Sequence, residues 1–182
     1  MAEVIFRNYH DGDDIGAITA LLHGAYGPLA RMGFRFLATH QDEATTLRRL
    51  TRGFALIAEY EGHIIGTITL NPPKPHSRCP WYTRPEVYSF GQFAVHPDFQ
   101  KQGLGGRLLQ LAEARARAHS ARELALDTAE GAVHLRQWYE RLGFRFIEHV
   151  SWEETNYRSV VLSKKLDDRP DASAPPTGSV LV

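Results

Sequence analysis

The sequence predicts a mixed α/β fold in which helices cover a largely antiparallel sheet. Three observations predict it. β-prone runs and amphipathic stretches alternate along the chain in the order β-α-α-β-β-β-α-β-α-β-β. Runs that are neighbours in the middle and at the end of the chain are joined by short turns, which gives antiparallel pairs. The length of 182 residues, with 43% apolar and 23% charged side chains, suits a single domain with a substantial core.

Val4 to Asn8 reads as a short first strand. Asp13 and Asp14 offer a helix start, and Ile15, Ile18, Leu21 and Leu22 form an apolar stripe that ends near His23. Tyr26 to His40 reads as irregular and aromatic, and a polar helix follows at about Asp42 to Arg52. Phe54 to Tyr60 and His63 to Leu70 form a hairpin across Glu61-Gly62. Asn71 to Pro85 is a proline-rich loop, and Glu86 to Val95 is the next strand. After a glycine-spaced loop, Leu104, Leu108, Leu111 and Ala112 share one helix face. Glu123 to Asp127 is a short strand. Val133 to Leu142 is a helix with Leu135, Trp138, Tyr139 and Leu142 inward, stopped by Gly143. Phe144 to Trp152 and Arg158 to Leu166 are two closing strands, joined by a turn at Glu153 to Asn156.

The domain is expected to span residues 1–166. The stretch from about Asp167 to Gly178 is rich in Pro, Asp, Ala and Ser, and residues 167–182 read as a flexible tail. The formal charge is zero, from 21 basic and 21 acidic side chains, which argues against broad nucleic-acid binding. No leader pattern and no apolar run of bilayer length is present, so no membrane partner is expected. The single cysteine, Cys79, cannot form an internal disulfide and fits a reducing cytoplasm.

The segment most suggestive of chemistry runs from Phe93 to Gly106. An apolar strand, Phe93-Ala94-Val95, enters a turn at His96-Pro97. The loop Gln100-Lys101-Gln102-Gly103-Leu104-Gly105-Gly106 then passes directly into a helix. Glycines admit close approach of a ligand, and loop amides with a helix N-terminus attract anions. The spacing fits neither familiar nucleotide fingerprint. A P-loop needs Gly-Lys-Ser/Thr where Gly106-Arg107-Leu108 stands, and a dinucleotide fingerprint needs glycine where Leu108 stands.

What fits is Gln-x-x-Gly-x-Gly, as Gln100, Gly103 and Gly105, which resembles the central motif of the GNAT superfamily of acyl-CoA-dependent N-acyltransferases. Three further features share in the resemblance: the Phe93-Ala94-Val95 strand before the loop, the Glu123 to Asp127 strand after its helix, and Trp138-Tyr139-Glu140-Arg141-Leu142-Gly143-Phe144, like the family's Tyr-x-x-x-Gly-Phe ending. It covers about Tyr88 to Phe146 closely. It implies helices on both sheet faces, a splay between the fourth and fifth strands that admits pantetheine, and acetyl transfer from acetyl-CoA to a primary amine by direct attack in a ternary complex. By the same resemblance Phe93, Ala94 and Val95 supply backbone groups to the cofactor, with the Val95 N–H nearest the thioester. Gln100, Lys101, Gln102, Gly103, Leu104, Gly105 and Gly106 hold the pyrophosphate, and Tyr139 protonates the departing thiolate.

Two departures from the family pattern stand out. Some members carry Glu or His about six residues before the Val95 position, where this chain has Ser89. The base is therefore open between a water held by Ser89, a carboxylate such as Glu86 or Asp127, and an amine that arrives neutral. Many members carry Asn where Ala132 stands. Arg136, Lys101 and Arg107 are candidates to balance phosphate charge. Tyr26, Met32, Phe34 and Phe36 fall where the family builds its acceptor wall. His76 and Cys79 are metal-capable, but no second pair at ligand spacing follows, so no metal is expected. The missing base keeps a catalytically weak acyl-CoA sensor open as an alternative, and the aromatic N-terminal half with the tail keeps a protein-interaction module open. A homodimer paired through the C-terminal strands is compatible with the layout.

Overall fold

In the computed structural model, which describes residues 3–166, the chain runs through β1 (Ile5–Asn8), α1 (Ile15–Arg31), α2 (Glu43–Thr51), β2 (Phe54–Tyr60), β3 (His63–Asn71), β4 (Val87–Val95), α3 (Leu104–Ala118), β5 (Glu123–Ala129), α4 (Val133–Arg141), β6 (Arg145–Ser151) and β7 (Arg158–Lys165). The expected order of elements holds, and the fold is mixed α/β. The tail expected over 167–182 lies outside the described residues.

The strands form one seven-stranded sheet in the order β1-β2-β3-β4-β5-β7-β6. All neighbours are antiparallel except β4 and β5, which are parallel because α3 carries the chain back across the sheet. The β2–β3 turn has positive φ at both Glu61 (49°) and Gly62 (79°), the geometry that matches strand twist in a two-residue hairpin. β7 is enclosed between β5 and β6, so of the two C-terminal strands only β6 has a free edge among the described residues.

Strand alternation sorts the core into two faces. On β2, Leu56 and Ala58 pack with Leu108, Leu109 and Ala112 of α3, while Ala55 and Ile57 pack with Ile18, Leu22 and Leu50 of α1 and α2. Helices therefore cover both faces. Under the proline-rich loop, a smaller cluster joins Cys79 and Tyr82 to Val87, Ala125 and Val161.

The first helix corrects the sequence reading. It does not end near His23 but continues through Arg31, with Pro28 inside it. Pro28 has no N–H to give the Gly24 carbonyl, a cost that exposed Gly24 can meet with solvent. Continuation is favoured because Leu29 is buried against Ala129 and Ala132. The true stop is Gly33, at φ 90°, where Gly33 N–H donates to Ala30 C=O (2.9 Å) and Phe34 N–H to Leu29 C=O (3.0 Å).

β4 changes frame part-way along. Its pairing with β3 slips between Thr67 and Thr69, opposite Gln92 and Phe93, and Gln92 takes φ 46°. Gly91 and Gln92 consequently both face α2, whereas Phe90, Phe93 and Val95 join the cluster under α3.

β4 and β5 pair only from Val87–Ser89 against Glu123–Ala125. Beyond that point β4 continues to Val95 and β5 to Ala129 without pairing to each other, so the sheet opens as a splay.

Candidate active site

A cavity of about 1130 Å³ passes through the splay and joins the two faces of the sheet. On the α3 side it is lined by Phe93, Val95, Gln100, Lys101, Gly103, Gly105 and Gly106, with Tyr139 and Trp138 from α4. On the other side it reaches Tyr26, Arg49, Lys74, Tyr82, Asp127, Trp152 and Tyr157.

The α3 end is shaped by backbone. Gly103 adopts φ 83° and caps the helix without any side-chain hydrogen bond. The first backbone N–H with an acceptor inside the helix is that of Arg107, on Gly103 C=O at 3.0 Å. The amides of Leu104, Gly105 and Gly106 precede it, as uncapped donors at the positive end of a fifteen-residue helix. A Cβ at Gly103 or Gly106 would meet nothing within 4 Å, whereas one at Gly105 would lie 3.5 Å from Phe93 Cζ and 3.8 Å from Val95 Cγ2. The loop thus rests on β4 through Gly105 and is open at Gly103 and Gly106. This open, donor-rich cradle fits a polyphosphate group.

Val95 directs its backbone toward the splay. His96 N–H donates to Ile65 C=O at 2.8 Å on the β3 side, so the preceding residue points its N–H and C=O to the opposite side. Gln100 Nε2 donates to that Val95 carbonyl at 3.0 Å and ties the loop to the strand, leaving the Val95 N–H free for a ligand. Ala94 also lines the cavity. Gln102 and Leu104 do not: Gln102 Nε2 donates to Asp98 C=O at 3.0 Å, and Leu104 packs onto the core.

Tyr139 is 7% exposed, with ring centroids 4.9, 5.6 and 6.0 Å from Trp138, Phe144 and Phe90. Burial pushes its phenol well above the usual value of 10.0, so the hydroxyl stays protonated. Its position follows from the helix ending: Gly143, at φ 92°, lets Phe144 N–H return to Tyr139 C=O at 3.1 Å.

The opposite end carries charge. Asp127 Oδ1 accepts from Tyr82 Oη at 2.9 Å and Oδ2 accepts from Trp152 Nε1 at 2.8 Å. Burial and the neighbouring carboxylate raise the Tyr82 phenol well above its ordinary value. Arg49 is held by a network of amides. Its Nη1 donates to Gln41 Oε1 at 2.6 Å, and Gln41 Nε2 donates to Gln92 Oε1 at 2.7 Å. Burial lowers the Arg49 pKa, but an arginine stays charged.

The sequence candidates separate on this geometry. Of the two carboxylates left open as base, Asp127 lines the cavity, whereas Glu86 lies outside it and pairs with Arg84 at 3.4 Å. Ser89 is buried in the paired part of the sheet, and His96 accepts from Asp98 N–H at 3.3 Å outside the cavity. Arg107 and Arg136 do not line the cavity; Arg136 Nη1 donates to Glu130 C=O at 3.1 Å. Among the expected wall residues, Tyr26 and Phe36 line it, Phe34 packs edge-on against Tyr157, and Met32 is exposed. Exposed His76 is separated from buried Cys79, whose Sγ lies 3.3 Å from Glu148 Oε1. No group of three or more potential metal ligands occurs among the described residues. The sequence reading missed Arg49, Tyr82, Trp152 and Tyr157. A guanidinium in a polar helix looks like solvated surface, and no local signal marks the other three.

Known proteins resemble this chain in sequence, and others resemble it in fold. The model of the acetyltransferase (GNAT) family matches residues 19–144. The chain is 34% identical over 125 residues to the S-(2-succino)cysteine N-acetyltransferase of Bacillus subtilis, covering 66% of this chain and 72% of the relative. It is 27% identical over 150 residues to the S-alkylcysteine N-acetyltransferase of the same organism, covering 79% and 80%. A GNAT family acetyltransferase from Elizabethkingia anophelis, solved with acetyl-CoA bound, superposes with TM-score 0.64 at 20% identity, over 90% of this chain and 98% of that one. The ribosomal-protein-S18-alanine N-acetyltransferase of Escherichia coli superposes with TM-score 0.68 at 15% identity, over 95% and 99%. By the family match and the curated relatives together, the chain belongs to the acetyltransferase (GNAT) family and is an acyltransferase of that type.

Proposed function

We propose that the protein transfers the acetyl group of acetyl-CoA to a primary amine by direct attack. One observation carries the reading: an uncapped, glycine-open helix start lies on one face of a splay, and the cavity beside it continues through the splay to a carboxylate on the other face. Gly103, Gly105, Gly106 and Lys101 hold the pyrophosphate, and Gln100 fixes the loop to Val95. Gln102 and Leu104 support that loop from outside the cavity, and the pantetheine runs along Phe93, Ala94 and Val95.

Bound acetyl-CoA supplies an activated thioester. The Val95 N–H stabilises negative charge that develops on the thioester oxygen. The amine nitrogen bonds to the acetyl carbon as the C–S bond breaks. The Tyr139 hydroxyl gives its proton to the leaving sulfur, and Asp127 takes the proton lost by the amine. Burial pushes the single thiol, Cys79, up to about 11, and it does not line the cavity, which supports transfer without a cysteine-bound acetyl group. The names of the two Bacillus subtilis relatives put S-substituted cysteines first among amines to test. The reading includes action in the cytoplasm, which a lone thiol supports.

The test is thiol release from acetyl-CoA across an amine panel, with mass spectrometry of the product. Acetylated amine with stoichiometric free CoA is expected. Binding of acetyl-CoA without turnover on any amine would overturn the reading.

A further inference from the structure

At the acceptor end of the cavity two opposite charges inside the mouth, Arg49 and Asp127, do not pair with each other, while Lys74, Arg52 and Glu154 stand exposed at the mouth itself. Among the described residues neither Arg49 nor Asp127 takes part in an ion pair. Both lie on the same face of the sheet, on opposite sides of the splay. Extending the β4–β5 register from Ser89↔Ala125 puts Asp127 level with Gly91. The Arg49 guanidinium occupies the space over Gly91, where an added Cβ would lie 3.3 Å from its Nη2.

Several features hold this separation in place. Asp127 is oriented by two donors, Tyr82 and Trp152, that carry no charge. Arg49 is aimed by buried Gln41, itself anchored on buried Gln92. Arg49 is remote from the phosphate cradle, which lies on the α3 face. A plain amine would complete only Asp127 and leave the guanidinium in a partly desolvated cavity without an anion, a costly arrangement. A ligand with an ammonium group and a carboxylate on one carbon completes both.

We propose that the acceptor is an α-amino acid bound as its zwitterion, with Arg49 taking the α-carboxylate and Asp127 the α-ammonium group. The proposal rests on the acetyltransferase reading above and names its substrate class; Asp127 takes the first ammonium proton, which frees the nitrogen lone pair for attack, and the second, released as the amide forms, replaces the proton that Tyr139 gave to the sulfur. The side chain then leaves toward the cavity mouth, where Lys74, Arg52 and Glu154 stand exposed.

The experiment compares the full chain and Arg49→Gln on amino acids and their decarboxylated partners: S-methyl-L-cysteine against S-methylcysteamine, L-glutamate against γ-aminobutyrate, and L-phenylalanine against phenethylamine. Specificity constants come from thiol release with saturating acetyl-CoA. With the unaltered protein, the best amino acid is expected to exceed its partner by roughly 10- to 100-fold, the worth of a charge-assisted hydrogen-bonded pair. Arg49→Gln is expected to remove that advantage through KM, with a loss on the amino acid at least about 10-fold larger than the loss on its decarboxylated partner, and a thermal melt with and without acetyl-CoA shows that the variant is folded. Equal rates on both members of each pair would overturn the proposal and leave the acetyltransferase reading standing. So would an equal loss on both members in Arg49→Gln, which would make Arg49 structural. If nothing turns over, calorimetric titration of S-methyl-L-cysteine and L-glutamate into the CoA-bound protein decides: absence of binding overturns the proposal, and binding abolished by Arg49→Gln supports it.

Discussion

Replacing Gly106 by leucine is expected to make the protein more stable and less able to bind its cofactor. Gly106 lies in the first turn of α3, its φ is not in the left-handed region, and a Cβ there meets nothing within 4 Å. Leucine adds no clash with the protein and removes the helix penalty of glycine, at most about 0.8 kcal/mol relative to a good helix former. For a chain of this size that corresponds to a Tm rise of about 1–3 °C. The open space over Gly106 belongs to the cavity assigned to the pyrophosphate. At a concentration 100 times Kd, acetyl-CoA stabilises the native state by about 2.7 kcal/mol, a Tm rise of about 5–10 °C. Differential scanning fluorimetry with and without acetyl-CoA reads both numbers in one titration. The variant is expected to start higher and shift little. A variant that keeps the full ligand-induced shift would refute the cradle, because a leucine side chain and a diphosphate cannot share that volume.

Tyr139→Phe keeps every ring contact and loses only the hydroxyl, so kcat is expected to fall by about 100-fold or more while Tm stays within about 1 °C, measured by thiol release and thermal melts. An unchanged kcat would remove Tyr139 from proton transfer. Gly53→Ala would overlap the Leu70 carbonyl oxygen, with its carbonyl carbon at 3.0 Å. It is expected to destabilise by about 1–3 kcal/mol, read as a lower urea midpoint at constant m-value. Burial raises the phenols of Tyr26, Tyr82, Tyr139 and Tyr157 above the 10.0 of an exposed tyrosine. The folded state therefore keeps protons that the unfolded state releases. Their contribution is complete below pH 10 and is lost as pH climbs through the raised values. Tm is expected to fall steeply above pH 10, and Tyr82→Phe to soften the fall; a flat profile to pH 11 would contradict the burial.

The proposed donor half of the site can be read from the sequence because the geometry it needs is local. A helix start that exposes its amides needs glycine at fixed spacing, and Gly103, Gly105 and Gly106 follow the strand that they rest on. The acceptor half depends on contacts between distant segments. Gln41 and Gln92 meet across 51 positions, and Asp127 finds Tyr82 and Trp152 at separations of 45 and 25. Arg48 and Arg49 look alike in sequence, yet only Arg49 turns inward to the cavity. The helix through Pro28 was misread for the same reason. Gly24, Gly27 and Pro28 are local breakers, and what outweighs them is the burial of Leu29 on Ala129 and Ala132, about a hundred residues away in sequence.

The slip at Gln92 gives β4 two reading frames. Before it, Val87, Ser89 and Gly91 look toward the acceptor side; after it, Phe93 and Val95, also odd-numbered, look toward the cofactor side. One strand can therefore serve two ligands on opposite faces, and residues in one frame can vary without turning those in the other. Removing the single residue Gln92 would merge the frames. It would leave Phe93 and Val95 on the cofactor side, in regular alternation after Gly91, but cut the amide chain that aims Arg49, so a one-residue deletion there strikes the acceptor half of the site and spares the other.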